Sequence, residues 1–436
     1  MFDAERSGYK PTFLDELCRY AYTLALTLII PIIVTVNFVQ SFRDKDKNTH
    51  RGLQRFGVVP KPKDVGGYLV HCVSVGEVVA ASCLIKRIKQ DTPHIPVTIT
   101  TTTVTGAARV KALFGESVQH FYLPYDLPVV MSTMLSRIQP KTVLITEVEL
   151  WPNLIHACWK KQIACIVVNA RMTDRSAKRY KKLAKLFTPM VNKLSHICAQ
   201  GQRDFDNYLR LGAAYNQLTL TNNIKFDQVA SARASKVGFM GLEQDTRPVI
   251  VAGSTHDPEE EILISAMNEL WQSNPHIVLV IVPRHPQRFD IVASFLEESS
   301  VPFVRSSQAQ QLPINTNVIL VDEMGRLNNA YSVAYCAFVG GSIANRGGHN
   351  ALEPAAFSTP ILMGPHTYNN PEICAYLKAC GALQSVTDAH DIANWIRKWI
   401  DEPESHQEAG LSAKKVLLDN SGAVEKTLRC IINVNK

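Results

Sequence analysis

From Gly67 onward, apolar residues follow two alternating patterns along the chain. Short runs rich in Val, Ile and Leu are separated by longer amphipathic stretches with apolar residues at helical spacing. Nearly continuous apolar strands that alternate with helices are typical of a parallel sheet covered on both faces. The runs predicted as strands in the first half are Tyr68–Val73, Val97–Thr102, Phe121–Leu123, Val143–Thr146, Cys165–Val168 and Ile197–Ala199.

The same alternation restarts after a junction near Thr221–Asp227. We therefore predict an α/β fold of two doubly wound, Rossmann-like domains that face a cleft. The expected division is residues 1–47 as a membrane anchor with a basic flank, 48–222 as the first domain, and 223–436 as the second domain. The C-terminal helices are expected to close the second domain, with packing back across the cleft as the alternative. The strands predicted for the second domain are Val249–Ala252, Val278–Val282, Val318–Val321, Ala337–Val339 and Ile361–Met363.

A segment without charges, Ala21–Val39, precedes the first domain. A helix of this length reaches about 28 Å, close to the thickness of a bilayer core. Pro31 and Asn37 interrupt the apolar run, so the alternatives to a spanning anchor are a shallow insertion and a buried core helix. More basic residues follow the segment than precede it, which favours a cytoplasmic location for both domains.

The composition limits the classes of function. Hydrophobic residues make up 46% of the chain and charged residues 19%, as is typical of globular proteins. The ten cysteines form no CxxC pair and no sequence cluster with histidines, which favours reduced thiols over a zinc site or a disulfide framework. The net charge of +7 is modest, and the motifs of nucleic-acid binders are missing, so we expect no nucleic-acid partner.

The stretch between Gly340 and Pro354 carries the most functional information. An apolar strand leads into its glycines, and a predicted helix start follows, with Glu353 in the first turns. Glycines let the backbone approach a ligand, unpaired N–H groups at a helix start attract phosphate, and a carboxylate can accept hydrogen bonds from a ribose. The pattern predicts a nucleotide-sugar site, although a tight strand–helix turn with a solvated glutamate has the same sequence features.

Carboxylates follow two predicted strands of the first domain. Glu77 lies in the first turn of the helix after Ser74, where a helix N-terminus stabilises an anion. It is either a general base or an ordinary first-turn acid. Glu147 and Glu149 follow the strand that ends at Thr146, and strand alternation predicts that both point to one face.

Basic residues occur at three further places. Arg284 ends an apolar strand beside Pro283, and a stiff loop there suits binding of phosphate or carboxylate by its guanidinium. Lys225, at the domain junction, is either a surface lysine or a cleft residue. Residues Arg171–Lys193 hold eight Lys or Arg and one acid, with apolar positions at helical spacing. This basic amphipathic helix is predicted to contact anionic lipid or a phosphorylated lipid substrate, with a solvated surface as the alternative.

Taken together, these residues give a chain that resembles the 3-deoxy-D-manno-octulosonic acid (Kdo) transferases of lipopolysaccharide inner-core synthesis. The likeness runs from the apolar segment to about Ala382, and its ordered succession of motifs is specific, whereas each motif alone is weak evidence. The matching segments are SVGE (Ser74–Glu77), TTTTVTG (Thr100–Gly106), YLPYDLP (Tyr122–Pro128), ELWPNLI (Glu149–Ile155), NAR (Asn169–Arg171), NIKFD (Asn223–Asp227), AGSTH (Ala252–His256), VPRHPQRF (Val282–Phe289), FVGGS (Phe338–Ser342), GGHNALEPAA (Gly347–Ala356) and GPHTYN (Gly364–Asn369).

The resemblance implies a GT-B fold, with the acceptor on the first domain and the sugar nucleotide mainly on the second. It implies transfer of Kdo from CMP-Kdo to a lipid A precursor at the cytoplasmic face of the inner membrane, with inversion at the anomeric carbon and without a cofactor or bound metal. Glu77 matches the family's general base, and Glu147 and Lys225 match positions that support the transition state. The positions that match CMP contacts are Pro283, Arg284, Met324, Gly325, Arg326, Asn350, Ala351, Leu352 and Glu353.

One departure from the family concerns Arg326, because a glutamate often follows the Met-Gly pair; a backbone contact is therefore expected there rather than a side-chain contact. Two other functions fit part of the pattern. One is a membrane-associated transferase that uses another sugar nucleotide, such as a UDP-sugar, and the other is a membrane-bound lipid-binding protein without activity. The sequence leaves open the number of Kdo residues transferred, the acceptor's acylation or phosphorylation, the oligomeric state, and whether the anchor spans the bilayer.

Overall fold

A computed structural model describes residues 9–43, 50–231, 238–313 and 316–435. Residues 1–8 and 44–47 of the predicted anchor and flank lie outside this description. The chain divides into two compact units, the first formed by Met1–Gln228 with Ser421–Lys436 and the second by Val229–Asn420. Each unit holds one parallel sheet of seven strands, as the alternating pattern predicts.

The strands are short and mostly buried, which agrees with their apolar composition. In chain order they are β1 (Tyr68–His71), β2 (Val97–Thr101), β3 (Gln119–Tyr122), β4 (Thr142–Thr146), β5 (Ala164–Ala170), β6 (His196–Ala199), β7 (Leu218–Leu220), β8 (Val249–Thr255), β9 (Val278–Pro283), β10 (Phe303–Arg305), β11 (Val318–Leu320), β12 (Cys336–Val339), β13 (Ile361–Met363) and β14 (Leu383–Ser385).

The helices connect the strands and cover both faces of each sheet. They are α1 (Phe13–Arg43), α2 (His50–Arg55), α3 (Val75–Asp91), α4 (Val104–Phe114), α5 (Pro128–Ile138), α6 (Pro152–Lys160), α7 (Asp174–Lys182), α8 (Ala184–Asn192), α9 (Gln202–Arg210), α10 (Ile224–Ser231), α11 (Glu259–Trp271), α12 (Phe289–Glu298), α13 (Leu327–Tyr331), α14 (Leu352–Ala355), α15 (Pro371–Ala379), α16 (Ala389–Asp401), α17 (Pro403–Asp419) and α18 (Ala423–Asn435).

The strand order of each sheet determines where a ligand site can form. The first sheet has the order β3-β2-β1-β4-β5-β6-β7 and the second β10-β11-β9-β8-β12-β13-β14, with every pair parallel. In the first unit the chain adds strands from β1 toward one edge of the sheet and then, from β4 onward, toward the other edge. In the second unit the same change of side occurs between β8 and β12. Ligands of doubly wound folds bind at the carboxyl ends of strands at such switch points.

Alternating residues of one strand fill two separate cores. Leu69 packs into the cluster on one face of the first sheet, and its neighbour Val70 packs into the cluster on the other face. Ile250 and Val251 divide in the same way between the two clusters of the second sheet. A strand buried on both faces needs apolar residues at successive positions, which explains the continuous apolar runs in the sequence.

Two features of the secondary structure differ from the prediction. The strands β7, β10 and β14 were not predicted; each has three residues and lies at a sheet edge, where pairing on one side requires less apolar surface. The basic amphipathic segment is not one helix, because α7 ends at Lys182 and α8 begins at Ala184, which allows Tyr180 and Phe187 to stack with ring centroids 4.0 Å apart.

The last helix, α18, belongs to the first unit and so does not close the second; packing on the other domain was the alternative for the C-terminal helices. Its apolar side chains, including Leu428 and Ile431, are buried in the core that also contains Val70. The carboxylate of Asp227 accepts hydrogen bonds from the backbone N–H of Gly422 at 2.5 Å and of Val424 at 2.6 Å, which holds the start of the helix.

The helix α1 contains one stretch, Phe13–Thr35, that is long and apolar enough to cross a membrane. Most of this stretch is exposed, so the alternative of a buried core helix is wrong. Its first turns are nevertheless bound to the first unit: Glu16 pairs with Lys193 at 2.5 Å, and Arg19 donates to Asn153 at 2.9 Å. Lys193 is therefore buried in this contact and is not part of the basic surface to which the sequence assigned it.

Candidate active site

Glu77 stands at the switch point of the first sheet, in the first turn of α3 and beside the end of β4. Its Oε2 accepts hydrogen bonds from the backbone N–H of Val73 at 2.7 Å and from the hydroxyl of Thr146 at 2.9 Å. The other oxygen, Oε1, accepts one long bond from the Ser74 hydroxyl at 3.4 Å. One carboxylate oxygen is thus held in place, and the other retains capacity to accept a proton.

Burial raises the pKa of Glu77 to about 7, well above the usual range of a glutamate. The hydrogen bonds from Val73 and Thr146 oppose this effect, whereas the nearby charges of Glu147 and Glu149 add to it. A carboxyl group that titrates near neutral pH can exist as the base and can also hold a proton once it has accepted one. Such a pKa suits general-base catalysis at physiological pH.

Glu147 lies at the adjacent strand end, but not in the predicted geometry. The strand β4 ends at Thr146, and Glu147 takes a left-handed backbone conformation with φ of 55°. Strand alternation therefore does not apply to these residues, and the prediction that Glu147 and Glu149 share one face of a strand is wrong. The backbone N–H of Glu147 donates to the carbonyl of Val168 at 3.0 Å. A non-glycine residue in this conformation is uncommon and is often found at a functional site.

Lys225 lies in the first turn of α10 and is half-buried, so it is not an ordinary surface lysine. Burial lowers its pKa, the charge of Glu147 opposes that change, and the charge of Arg171 adds to it. Asn169, itself in a left-handed conformation with φ of 50°, accepts a hydrogen bond from the backbone N–H of Ile224 at 3.1 Å. Asn169 therefore positions the turn that carries Lys225, a role that its sequence context did not reveal.

In the second unit, the three segments predicted to contact CMP follow β9, β11 and β12. These strands and β8 are consecutive in the sheet, so their loops meet at one edge, as the prediction of a nucleotide site requires. Pro283 is the last residue of β9 and is buried, whereas Arg284, directly after it, is exposed. Among the described residues, no carboxylate forms an ion pair with Arg284, so its guanidinium is available for an anionic ligand.

The glycine-rich loop after β12 already holds an anion of the protein itself. The carboxylate of Glu259, which is fully buried in the first turn of α11, accepts hydrogen bonds from five backbone N–H groups. The donors are Gly341 at 2.8 Å, Ser342 at 2.9 Å, Ile343 at 2.9 Å, Ala344 at 3.2 Å and His256 at 3.0 Å. These N–H groups are therefore not available to a ligand, and Glu259 is a structural residue. The phosphate contact expected from the sequence is the helix start after Gly348, which lies farther along the loop.

Three histidines surround the position of Arg284. The Nε2 atoms of His256 and His349 are 2.9 Å apart with the rings stacked, and His285 meets His256 edge-on at 5.3 Å between centroids. Burial, together with nearby charges that include Arg284, lowers the pKa of His256 and of His349 to about 4. Both rings are neutral at pH 7, so that one donates and the other accepts the hydrogen bond between them.

Glu353 lies in the single turn of α14, which is shorter than the helix that the sequence suggested. Burial raises the pKa of Glu353, while a hydrogen bond from Asn350 at 3.4 Å and the charge of Arg284 oppose this change. Asn350 also accepts from the backbone N–H of Leu352 at 3.2 Å, and Ala351 is buried beneath the turn. The influence of Arg284 on Glu353 places the two predicted CMP contacts near one another.

In the third predicted segment, Met324–Arg326, one long side chain is exposed and the other contacts its own unit. Met324 is 64% exposed, and Gly325 has a left-handed φ of 86°. The side chain of Arg326 pairs with Glu323 at 3.6 Å and lies over the ring of Phe239 at 5.9 Å. The side chain of Arg326 is thus directed at its own unit.

Comparison with known proteins gives matches to glycosyltransferases over almost the whole chain. A family model described as 3-deoxy-D-manno-octulosonic-acid transferase matches residues 50–228, and one for glycosyl transferases group 1 matches residues 247–416. The 3-deoxy-D-manno-octulosonic acid transferase of Haemophilus influenzae is 37% identical, covering 94% of this chain and 97% of the relative. That of Bordetella pertussis is 31% identical, covering 94% and 98%.

Among solved structures, the UDP-GlcNAc 2-epimerase of Neisseria meningitidis has a TM-score of 0.60 at 15% identity, covering 85% of this chain and all of that one. At this identity the likeness concerns the fold alone. The identity to the Haemophilus and Bordetella relatives, sustained over nearly their full length, places this chain in the 3-deoxy-D-manno-octulosonic acid transferase family, as a Kdo glycosyltransferase with the GT-B fold.

Proposed function

We propose that this enzyme transfers Kdo from CMP-Kdo to a lipid A precursor in lipopolysaccharide core biosynthesis, with inversion at the anomeric carbon. In this proposal the first unit binds the acceptor and the second unit binds the CMP-sugar. The observation that carries the proposal is the carboxylate of Glu77, fixed through Oε2 by Val73 and Thr146 and titrating near pH 7. Family membership supports the identity of the transferred sugar.

The proposed reaction is a single displacement. Oε1 of Glu77 takes the proton from a sugar hydroxyl of the acceptor while the hydroxyl oxygen forms a bond to the anomeric carbon of Kdo. The bond from that carbon to the phosphate oxygen of CMP breaks on the opposite side, so the configuration inverts. Glu147 and Lys225, whose charges influence each other, stabilise the charge distribution of the transition state.

On the donor side, Arg284 supplies positive charge at the phosphate of CMP, since its guanidinium fork matches two phosphate oxygens. Glu353 and Asn350 bind the ribose hydroxyls, and the backbone of Met324–Arg326 contacts the cytidine. Because Arg284 provides the charge that stabilises the departing CMP, we propose that no metal ion or other cofactor takes part. Adding Mg²⁺ or Mn²⁺ to the purified enzyme should leave the transfer rate unchanged.

We place the enzyme at the cytoplasmic face of the inner membrane, with α1 as the single N-terminal anchor. The exposed apolar side chains of α1, such as Leu24, Leu28 and Ile32, support contact with lipid. The bonds from Glu16 and Arg19 to the first unit hold this helix next to the domain proposed to bind the lipid acceptor. The basic residues of α7 would then contact anionic lipid or acceptor phosphates.

The acceptor kcat/KM should rise with pH up to about 7 and then level off. Glu77 acts as a base only when ionised, and its raised pKa leaves it largely protonated below pH 7, so activity should fall about tenfold for each further pH unit on the acid side. His256 and His349, with pKa values of about 4, stay neutral in this range. A pH–rate profile between pH 5 and 9 measures the effect, with the KM for CMP-Kdo, a phosphodiester that does not titrate in this range, as the control. A profile that stays flat down to pH 5 would contradict the assignment.

Replacing Arg284 should weaken donor binding selectively. Loss of a charge-assisted bond of about 1.5–3 kcal/mol corresponds to a rise of about 10–100-fold in KM for CMP-Kdo in Arg284→Ala. Arg284→Lys keeps the charge but not the planar fork, so its KM should lie between those of the wild type and Arg284→Ala. Steady-state kinetics with Arg137→Lys, at an exposed site in α5, as the control measures this. An unchanged donor KM in Arg284→Ala would remove the residue from the donor site.

Protection against thermal unfolding separates CMP from the nucleotide of a rival donor. A ligand that binds the folded state raises its apparent stability, so CMP should raise the Tm in a concentration-dependent manner while UDP should not. Protection by UDP alone would favour a transferase that uses a UDP-sugar.

A further inference from the structure

A cluster of metal-ligand side chains lies away from the proposed reaction, on the face of the first sheet that α18 covers. His196 and Cys198 belong to β6 and, being two residues apart in a strand, point to the same face. Cys430 comes from α18, which packs against β5 and β6. The ligand atoms of these three residues all lie within 4.8 Å of one another.

A hydroxyl of the neighbouring strand completes the cluster. Thr219 of β7 pairs with Cys198 in the parallel register, and its Oγ1 is 2.9 Å from Nε2 of His196. The next turn of α18 places Thr427 nearby; its hydroxyl is fully buried and has no hydrogen-bond partner among the described residues. Two thiols, one imidazole and at least one hydroxyl therefore converge from three elements.

Cys198 is fully buried and Cys430 almost so, within an otherwise apolar core. Both thiols would bind a metal ion as thiolates, the ionisation state that a metal ligand requires.

We infer that His196, Cys198 and Cys430 form a structural zinc site that fixes α18 to the first sheet. Zinc prefers sulfur and nitrogen ligands in tetrahedral geometry, with Thr219 or a water molecule in the fourth position. Zn²⁺ with two thiolates and a neutral imidazole has no net charge, so it can be buried without a counter-ion, whereas Cu⁺ with the same ligands would leave one negative charge. On binding, the two thiols each form a bond to zinc and release their protons to solvent.

The inference is independent of the proposed transfer reaction, because the cluster lies on β6, β7 and α18, whereas the proposed site lies at the carboxyl ends of β1 and β4, with β5 between β4 and β6. The sequence argued against a zinc site because only His196 and Cys198 are close along the chain, and the third ligand comes from the last helix. Zinc here would hold the C-terminal segment to the first unit, alongside the Asp227 contacts at the start of α18.

The full-length enzyme, purified in detergent with a thiol reductant and without chelator, should contain about one zinc per chain by mass spectrometry of the metal. Replacement by Co²⁺ should give a thiolate-to-cobalt charge-transfer band in the near ultraviolet. Metal should also slow amide hydrogen exchange in Ala423–Asn435, but not in Pro403–Asp419 of the second unit.

Cys198→Ser and Cys430→Ser should each abolish the cobalt band, and His196→Gln should weaken it. Cys158→Ser, at another fully buried thiol, and Cys380→Ser, at an exposed one, should leave the band unchanged. Since the cobalt band of the wild type is measured without any substitution, a variant that fails to fold does not affect that test. Wild-type protein that binds neither Zn²⁺ nor Co²⁺ after reduction, or binds them equally in the Cys198→Ser/Cys430→Ser double variant, would overturn the inference.

Discussion

Glu77→Gln is expected to lower the rate of Kdo transfer by about 10²–10⁴-fold, the contribution of a positioned general base. The amide has nearly the same shape as the carboxyl group and can still accept hydrogen bonds from Val73 and Thr146, but it cannot take the acceptor's proton. Binding of CMP should be unchanged, because the CMP contacts lie in the second unit. Initial rates at saturating substrates, together with calorimetric titration of CMP, measure both quantities.

The matched control for this substitution is Glu116→Gln, which removes an exposed carboxylate of the same unit that pairs with an exposed Lys63. Its rate should equal that of the wild type. If Glu77→Gln also transfers Kdo at close to the wild-type rate, Glu77 is not the base.

The stability of the Glu77→Gln variant distinguishes lost chemistry from lost folding. Burial raises the folded-state pKa of Glu77 from its usual 4.5 to about 7, so its contribution to stability is fully present below about pH 4.5 and is lost as the pH rises through 7. A neutral glutamine does not carry this penalty. The variant should therefore unfold at a higher temperature than the wild type at pH 8, while being far less active.

Glu259→Ala should destabilise the second unit by about 3–5 kcal/mol, because each buried N–H group left without an acceptor costs about 1–3 kcal/mol. The substitution leaves five N–H groups without this acceptor, of which those of Gly341 and Ser342 are buried and the other three partly buried. The loop that leads to Glu353 depends on those bonds, so CMP affinity should fall with stability. Urea unfolding followed by the fluorescence of Trp271, Trp395 and Trp399 reports on this unit.

Glu261→Ala is the control for Glu259, since Glu261 lies in the same first turn of α11 but is exposed. An exposed substitution of this kind changes stability by no more than about 0.5 kcal/mol. Equal unfolding midpoints for the two variants would show that the Glu259 contacts contribute nothing to stability.

The fold follows from the sequence because buried parallel strands leave a continuous apolar run. β4 and β9, with every residue buried, were predicted to within a residue at either end. The edge strands β7, β10 and β14 gave no such signal. The sequence left open whether α18 closes the second domain or packs on the first, because an apolar helical stripe shows that a surface is buried but not which core covers it.

For the site, ligands of parallel sheets bind at the carboxyl ends of the strands, and this rule predicted that Arg284 and Glu353 lie at one edge of the second sheet. The same rule does not identify the neighbouring residues that orient a side chain or occupy its hydrogen-bonding groups. Thr146 orients Glu77 from a different strand, and Glu259 fills the glycine loop from a helix far away in the chain. Acids in first helical turns are common, so Glu77 and Glu259 have the same local sequence signature despite different contacts.

The most direct test of the proposed function is incubation of the purified full-length enzyme with CMP-Kdo and a lipid A precursor, followed by mass spectrometry of the acceptor. The wild type should add the mass of at least one Kdo residue and release CMP, and Glu77→Gln should give little product in the same time. An acceptor that keeps its mass with the wild-type enzyme, while a UDP-sugar is consumed or no donor is consumed, would contradict the account.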